Sequence, residues 1–236
     1  MRTPLATLIC FLAVVAPAAA QATATATPNK VGKGTKLHIE LDATQPPVSG
    51  RIPTSTTLSA QAGYRFNGKA VAARCTLEQA QQDACPVKSG IGTAVVTAEY
   101  GGMTFPVPLR LYLAKPQQAG DLAAFEAVAT LLGSTYAAEG RIVRTTTAPF
   151  GLQVILPTPG GLGSFPATFK AFKADVGVSR TVKVKKGRGK KRRTVRVRHN
   201  LITNPKTCTG TWASQAAFTF EDGSTATVDA PIACVS

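Results

Sequence analysis

Four sets of residues in this 236-residue chain could carry chemistry: a run of cations, two histidines, twelve scattered carboxylates and five cysteines. The cations are the most concentrated. Residues 180–198 read RTVKVKKGRGKKRRTVRVR, with eleven Lys and Arg and no Asp or Glu, against a formal net charge of +15 for the whole chain. Val182 and Val184 alternate with Lys183 and Lys185, and Val195 and Val197 with Arg196 and Arg198, around Gly187 and Gly189. Period-two alternation on both sides of a Gly-containing tip predicts a long β-hairpin. Its four valines form one face, expected to dock on a sheet. Lys183, Lys185, Arg196 and Arg198 form the other face, and the tip carries Lys186, Arg188, Lys190, Lys191, Arg192 and Arg193. Like charges opposed across strands cost a few tenths to about 1 kcal/mol each. A hairpin that keeps them points to anions that relieve the repulsion, and these cations are the expected anion-binding residues. The expected partner is a polyanion: an envelope glycopolymer, anionic lipid headgroups, or extracellular nucleic acid bound without sequence preference. No aromatic residue in the tip offers a surface for base stacking. The alternative is a solvated loop whose charge serves only solubility.

The other residues converge less. His38 and His199 are the only imidazole bases, and no G-x-S-x-G accompanies them. His38 falls on the polar face of an alternating segment, where solvent exposure is the simplest reading. Carboxylate pairs for glycoside chemistry remain open in principle, but no acid sits in a local setting that raises its pKa. Glu221-Asp222 reads as turn chemistry. Thr158-Pro159-Gly160-Gly161-Leu162-Gly163-Ser164 is Gly-rich but lacks the Lys-Ser/Thr of a phosphate-binding loop. The cysteines lack zinc spacing, so neither metal nor cofactor is expected. The functional expectation is a non-catalytic binding or structural protein. A secreted hydrolase whose site assembles only in the fold is the alternative.

The N-terminus indicates the compartment. Arg2 precedes an apolar run over residues 5–16 that ends in small residues, the pattern of a cleaved signal peptide over residues 1–22. Cys10 lies inside that leader, and bulky Ile9 before it argues against a lipid-attachment site. Nothing later in the sequence has the length and apolarity of a transmembrane helix. The chain is therefore expected to be secreted, extracellular or envelope-associated. Cys75, Cys85, Cys208 and Cys234 then remain for two disulfides with three connectivities. Cys75–Cys85 and Cys208–Cys234 are favoured, since each pair is close in sequence and flanked by turn-forming residues.

These groups need a frame, and the frame reads as strands. Residues 23–29 look like a flexible lead. Leu37, Ile39 and Leu41 alternate with polar residues, a clear strand. Residues 56–62, 93–100, 104–114, 122–130, 140–146, 151–156, 167–172, 212–220 and 224–228 follow as further strands. Asn67-Gly68, Gly101-Gly102 and Asp222-Gly223 mark hairpin turns. Residues 122–132 would suit a helix by propensity and are assigned to strand from their neighbours. Pro106 and Pro108 alternate with inward apolar residues, which fits an edge strand or a bulge. One short helix lies between Cys75 and Cys85, with Thr76 and Gln79 as a capping box. The whole reads as all-β: an antiparallel β-sandwich, Ig-like or jelly-roll-like, with one short helix and a long basic hairpin. Residues 30–236 are expected as a single domain, and two β domains split near 115–120 are the alternative.

Three local patterns carry a resemblance: Cys85-Pro86-Val87-Lys88-Ser89-Gly90-Ile91-Gly92, then Asn204-Pro205-Lys206-Thr207-Cys208 after Leu201-Ile202-Thr203, then Trp212, Asp222-Gly223 and Cys234. From about residue 30 to the C-terminus the chain resembles a family of exported, disulfide-containing β-rich proteins of high-GC Gram-positive-type bacteria. The resemblance implies secretion, disulfides and a sandwich-like build. It brings no activity with it.

Overall fold

Alternation of small or branched residues with polar ones runs through most of the chain, and most of the chain is strand. The structure is a computed structural model that describes residues 22–44, 48, 51, 53–131, 133–157, 168–187 and 193–236. The leader up to residue 21, the Gly-rich loop at 158–164 and the hairpin-tip residues Arg188, Lys190, Lys191 and Arg192 lie outside the described residues.

The expected flexible lead is instead a strand, β1 (Ala22–Thr27). It pairs antiparallel with β2 (Gly34–Asp42), from Ala22 opposite Leu41 to Thr27 opposite Lys36, and buries Ala24 and Ala26. Strict Ala/Thr alternation still makes one apolar face, which joins the main hydrophobic core, while β2 pairs with the strand's edge. After β3 (Pro53–Gln61) and β4 (Arg65–Phe66), a second expectation fails. Asn67-Gly68 does not turn a hairpin. Its side-chain oxygen accepts from the Lys69 N–H at 3.1 Å and caps a 3₁₀ turn at Gly68–Ala70. Asn bonding its own backbone two residues on is a competing local use of the same residue. The helix α1 (Leu77–Gln81) forms as expected. Thr76 Oγ1 accepts from the Gln79 N–H at 3.2 Å, and Gln79 Oε1 accepts from the Thr76 N–H at 3.1 Å.

β5 (Gly90–Tyr100) and β6 (Met103–Ala114) form a hairpin across Gly101-Gly102, both at positive φ. β6 pairs with β5 along its length but with β7 (Asp121–Leu131) only from Arg110 to Ala114. Pro106 and Pro108 thus sit in the half of β6 that has one neighbour, where a missing N–H leaves no ladder bond unmade. β7 is strand throughout, because alternate residues serve two layers. Phe125 and Ala127 face the interior, while Val128 packs with Ala80 of α1 on the outer face. β8 (Ser134–Arg144), β9 (Phe150–Pro157) and β10 (Thr168–Val176) follow. Next come the basic arms β11 (Ser179–Lys186) and β12 (Arg193–Asn200), then β13 (Ile202–Thr203) and β14 (Thr211–Trp212). β15 (Ser214–Phe220), β16 (Thr225–Asp229) and β17 (Ile232–Ala233) complete the described elements.

The main sheet runs β16-β15-β3-β9-β8-β7-β6-β5-β10-β2-β13-β4, with β1 also paired to β2 and every pairing antiparallel. β1 meets β15 from the opposite end of that order, so the sheet curls its two flanks toward each other without closing into a barrel. The architecture is the expected all-β, sandwich-like build. Strands on either side of 115–120 pair directly, β6 with β7.

The segments that carry the resemblance turn out to hold the fold. Ser89 is fully buried and donates to the Pro86 carbonyl at 2.5 Å. A Cβ on Gly92 would lie 2.1 Å from the Asp175 carbonyl, so only glycine admits β10 there. Asn204, also fully buried, donates from Nδ2 to the carbonyls of Pro28 and Lys30 at 2.8 and 2.9 Å. Trp212 donates to the Thr207 carbonyl at 2.7 Å and meets the Tyr64 ring edge-on at 5.6 Å. Cys75–Cys85 and Cys208–Cys234 are the two disulfides, the favoured connectivity. Two such bonds are stable in an oxidising compartment. Among the described residues no helix is long and apolar enough to cross a membrane.

Candidate functional site

β11 and β12 pair antiparallel over their full length as a two-stranded sheet separate from the main one. Val182 opposes Val197 and Val184 opposes Val195. Lys183 opposes Arg196, Thr181 opposes Arg198, Lys185 opposes Thr194 and Lys186 opposes Arg193. The expected faces are therefore real: Lys183, Lys185, Arg196 and Arg198 share one, and the valines share the other. The expected docking of the valines is not. Val184 is 38% exposed, and Val182, Val195 and Val197 are only half-buried. The strands that adjoin the hairpin in sequence, β10 and β13, are already paired within the main sheet. The hairpin touches the 3₁₀ turn at Gly68–Ala70, and Lys183, Lys185, Lys186, Arg193, Arg196 and Arg198 are all exposed. Among the described residues, no carboxylate forms an ion pair with any of these cations. Arg198 donates to Ser179 Oγ at 2.9 Å.

Inside the curl of the main sheet lies a cavity of about 260 Å³. Its lining is aliphatic and aromatic apart from the hydroxyl-bearing Thr56, Ser59 and Ser214, and it includes no charged side chain. Alanines explain it. Ala98, Ala127 and Ala138 line the space at inward strand positions, where a Val or Leu would fill it. At about 24 cal/mol per Å³, an empty cavity of this size costs roughly 6 kcal/mol. That is a large share of the roughly 5–15 kcal/mol that holds a typical domain together.

A second cavity, of about 140 Å³, is lined by Tyr64, Arg65, Phe66, Leu122, Arg144, Gly151 and Leu152. Phe66 and Leu152 line both spaces. The Tyr64 hydroxyl is buried without a hydrogen-bond partner, and burial pushes its pKa above the ordinary phenol range. Neither Arg65 nor Arg144 is in an ion pair among the described residues. Sequence reasoning missed both cavities. The available signal was alanine at inward strand positions and two arginines at strand ends, 79 positions apart and joined only by the fold.

The histidines and carboxylates lie elsewhere. His38 is half-exposed as expected, but it has partners: Asp175 at 3.0 Å on Nδ1 and Glu40 at 3.2 Å on Nε2. Hydrogen bonding to Asp175 raises its pKa, helped by Glu40 and opposed by partial burial. Glu40 in turn pairs with Lys173 at 3.0 Å. His199 lies 3.4 Å from the Asn67 side-chain amide. No group of described residues has the makings of a metal site. The reading that no acid has a raised pKa needs correction. Glu126 on β7 is 1% exposed, its Oε2 has no partner, and Glu139 opposes it on β8. Burial, with the Glu139 charge second, pushes its pKa up to about 7. Neither carboxylate lines a cavity, and neither histidine does.

No protein-family model, curated protein or solved structure matches this chain.

Proposed function

We propose that this is an exported, non-catalytic binding module, held at the cell envelope by its basic hairpin. The observation that carries the reading is the cross-strand opposition of cations, Lys183 with Arg196 and Lys186 with Arg193, with no carboxylate paired to them. A fold that sets like-charged residues directly opposite each other does so at a cost, and an external anion removes it. Within the polyanions, an anionic lipid surface is favoured. The hairpin's other face exposes Val184 beside half-buried valines, an apolar strip for the headgroup boundary that ends in the Lys186–Arg193 pair. Its described residues include no Phe, Tyr or Trp on which a base could stack. The basic residues would supply the electrostatic attraction, and no step of bond-making is involved.

The test compares the full protein with a variant lacking residues 186–193 on an anionic resin such as heparin, and on vesicles of phosphatidylglycerol or phosphatidylcholine. The variant should elute at clearly lower salt, and only phosphatidylglycerol vesicles should carry the full protein down. Equal elution of the two proteins would overturn the reading. Retention on glycopolymer or DNA with no vesicle binding would reassign the partner.

A further inference from the structure

The two internal cavities offer a site that goes beyond the hairpin reading and does not rest on it. The larger space is apolar on nearly every side, about 260 Å³ in volume. A cavity of about 150 Å³ lined by apolar residues stays dry and takes up benzene, so this one, apolar but for three hydroxyl-bearing residues, has room for a longer apolar group. It falls just below the roughly 300–1,000 Å³ of drug-sized ligand pockets, which suits one hydrocarbon chain and excludes a bulky or double-chained guest.

The smaller cavity has the opposite chemistry. Arg65 and Arg144, both exposed at its rim, contribute positive charge with no ion-pair partner among the described residues, and the buried Tyr64 hydroxyl is a donor with nothing to donate to. A buried hydroxyl left unpaired is costly, and an anion with two oxygens would satisfy it together with the guanidinium groups. Four elements assemble this end: β4 with the residue before it, the start of β7, the end of β8 and the start of β9. Phe66 and Leu152 form a wall common to both cavities, so the polar and apolar spaces lie side by side.

We infer that the paired cavities bind a single-chain amphiphile with an anionic head, its acyl chain in the larger space and its headgroup at Tyr64, Arg65 and Arg144. The chemistry is shared by a fatty-acid carboxylate and by the phosphate of a lysophospholipid. Ala127 and Ala138, directly opposed across β7 and β8, mark where the chain would lie.

The experiment titrates the full protein with cis-parinaric acid, a fluorescent fatty acid. Saturable one-to-one binding is expected, competed by oleate, by lysophosphatidylglycerol or by both, and the competitor identifies the head. Arg65→Ala with Arg144→Ala should weaken parinarate at least tenfold at pH 8 while leaving a neutral long-chain alcohol within about twofold. Ala127→Phe should abolish uptake of both probes and raise Tm. Ala138→Phe serves if the first variant does not fold, and solvent extraction of the purified protein followed by mass spectrometry reads any bound chain directly. Absence of saturable binding, binding indifferent to both phenylalanine variants, or competition by neither lipid would overturn the inference. A hairpin variant lacking residues 186–193 should keep parinarate binding intact, so failure of this site and failure of the hairpin reading are separately visible.

Discussion

Replacing Glu126 with Gln tests the energetics of the sheet's outer layer. Glu126 shares that face of β7 with Val128, which packs beneath α1, and it lies between Tyr112 on β6 and Glu139 on β8. Its carboxyl is 1% exposed, with one oxygen unpartnered, and its pKa stands at about 7 against an ordinary 4.5. The folded protein therefore holds this proton to near pH 7, whereas the unfolded chain releases it near pH 4.5. Between those values the native state binds more protons, so stability falls as pH rises and levels off above 7. At about 1.4 kcal/mol per pH unit, the loss is roughly 3–3.5 kcal/mol. Gln has the shape of the protonated acid and cannot ionise, so Glu126→Gln should escape the loss. The assay is urea unfolding followed by fluorescence of Trp212, the chain's one tryptophan and fully buried, at intervals from pH 4 to 8. The two proteins should agree within about 0.5 kcal/mol at pH 4 and differ by roughly 3–3.5 kcal/mol at pH 8, with the variant more stable. His38 also has a raised pKa, and its contribution is lost as pH rises through its folded value, but it acts on both proteins and cancels in the difference. Parallel stability curves for the two proteins would refute the reasoning.

Other perturbations follow from the same structure. Replacing Cys208 and Cys234 by Ala opens a loop of 26 positions and should cost roughly 3.5 kcal/mol, against roughly 2.7 for the Cys75–Cys85 pair spanning 10, ranked by denaturant midpoints. Asn204→Ala strands the Pro28 and Lys30 carbonyls and should cost about 1–3 kcal/mol by the same unfolding assay, with hydrogen exchange accelerated in β1. No measurable loss in that variant would show that Asn204 does not tie the first strand to the C-terminal segment.

Period-two patterns made the strands legible, and turn pairs placed the hairpins at Gly101-Gly102 and Asp222-Gly223. The capping box at Thr76 and Gln79 was readable because each residue has one strong local use. Failures came where a residue has two. Asn67-Gly68 capped a 3₁₀ turn instead of reversing a strand, and the Ala/Thr lead paired because β2 offered a flank that local sequence does not announce. The cation face of the hairpin was readable from its alternation, while its partial exposure was not, since exposure depends on which other strands claim the neighbouring edges. Glu126 and Glu139 lie 13 positions apart and meet only through the β7–β8 register. Arg144 likewise meets Tyr64 and Arg65 only through the fold. Propensity and periodicity describe one element at a time, and these sites are made between elements.

The central claim is that the hairpin's unpaired cations hold the protein on an anionic lipid surface, and equilibrium binding to phosphatidylglycerol vesicles across a salt series tests it most directly. Each Lys or Arg near such a surface contributes about 1 kcal/mol. Changing Lys183, Lys185, Arg196 and Arg198 together to Gln should therefore raise Kd by roughly 100- to 1,000-fold at low salt and flatten its salt dependence. A variant that binds within twofold of the wild type, or a wild type whose affinity ignores salt, would contradict the account.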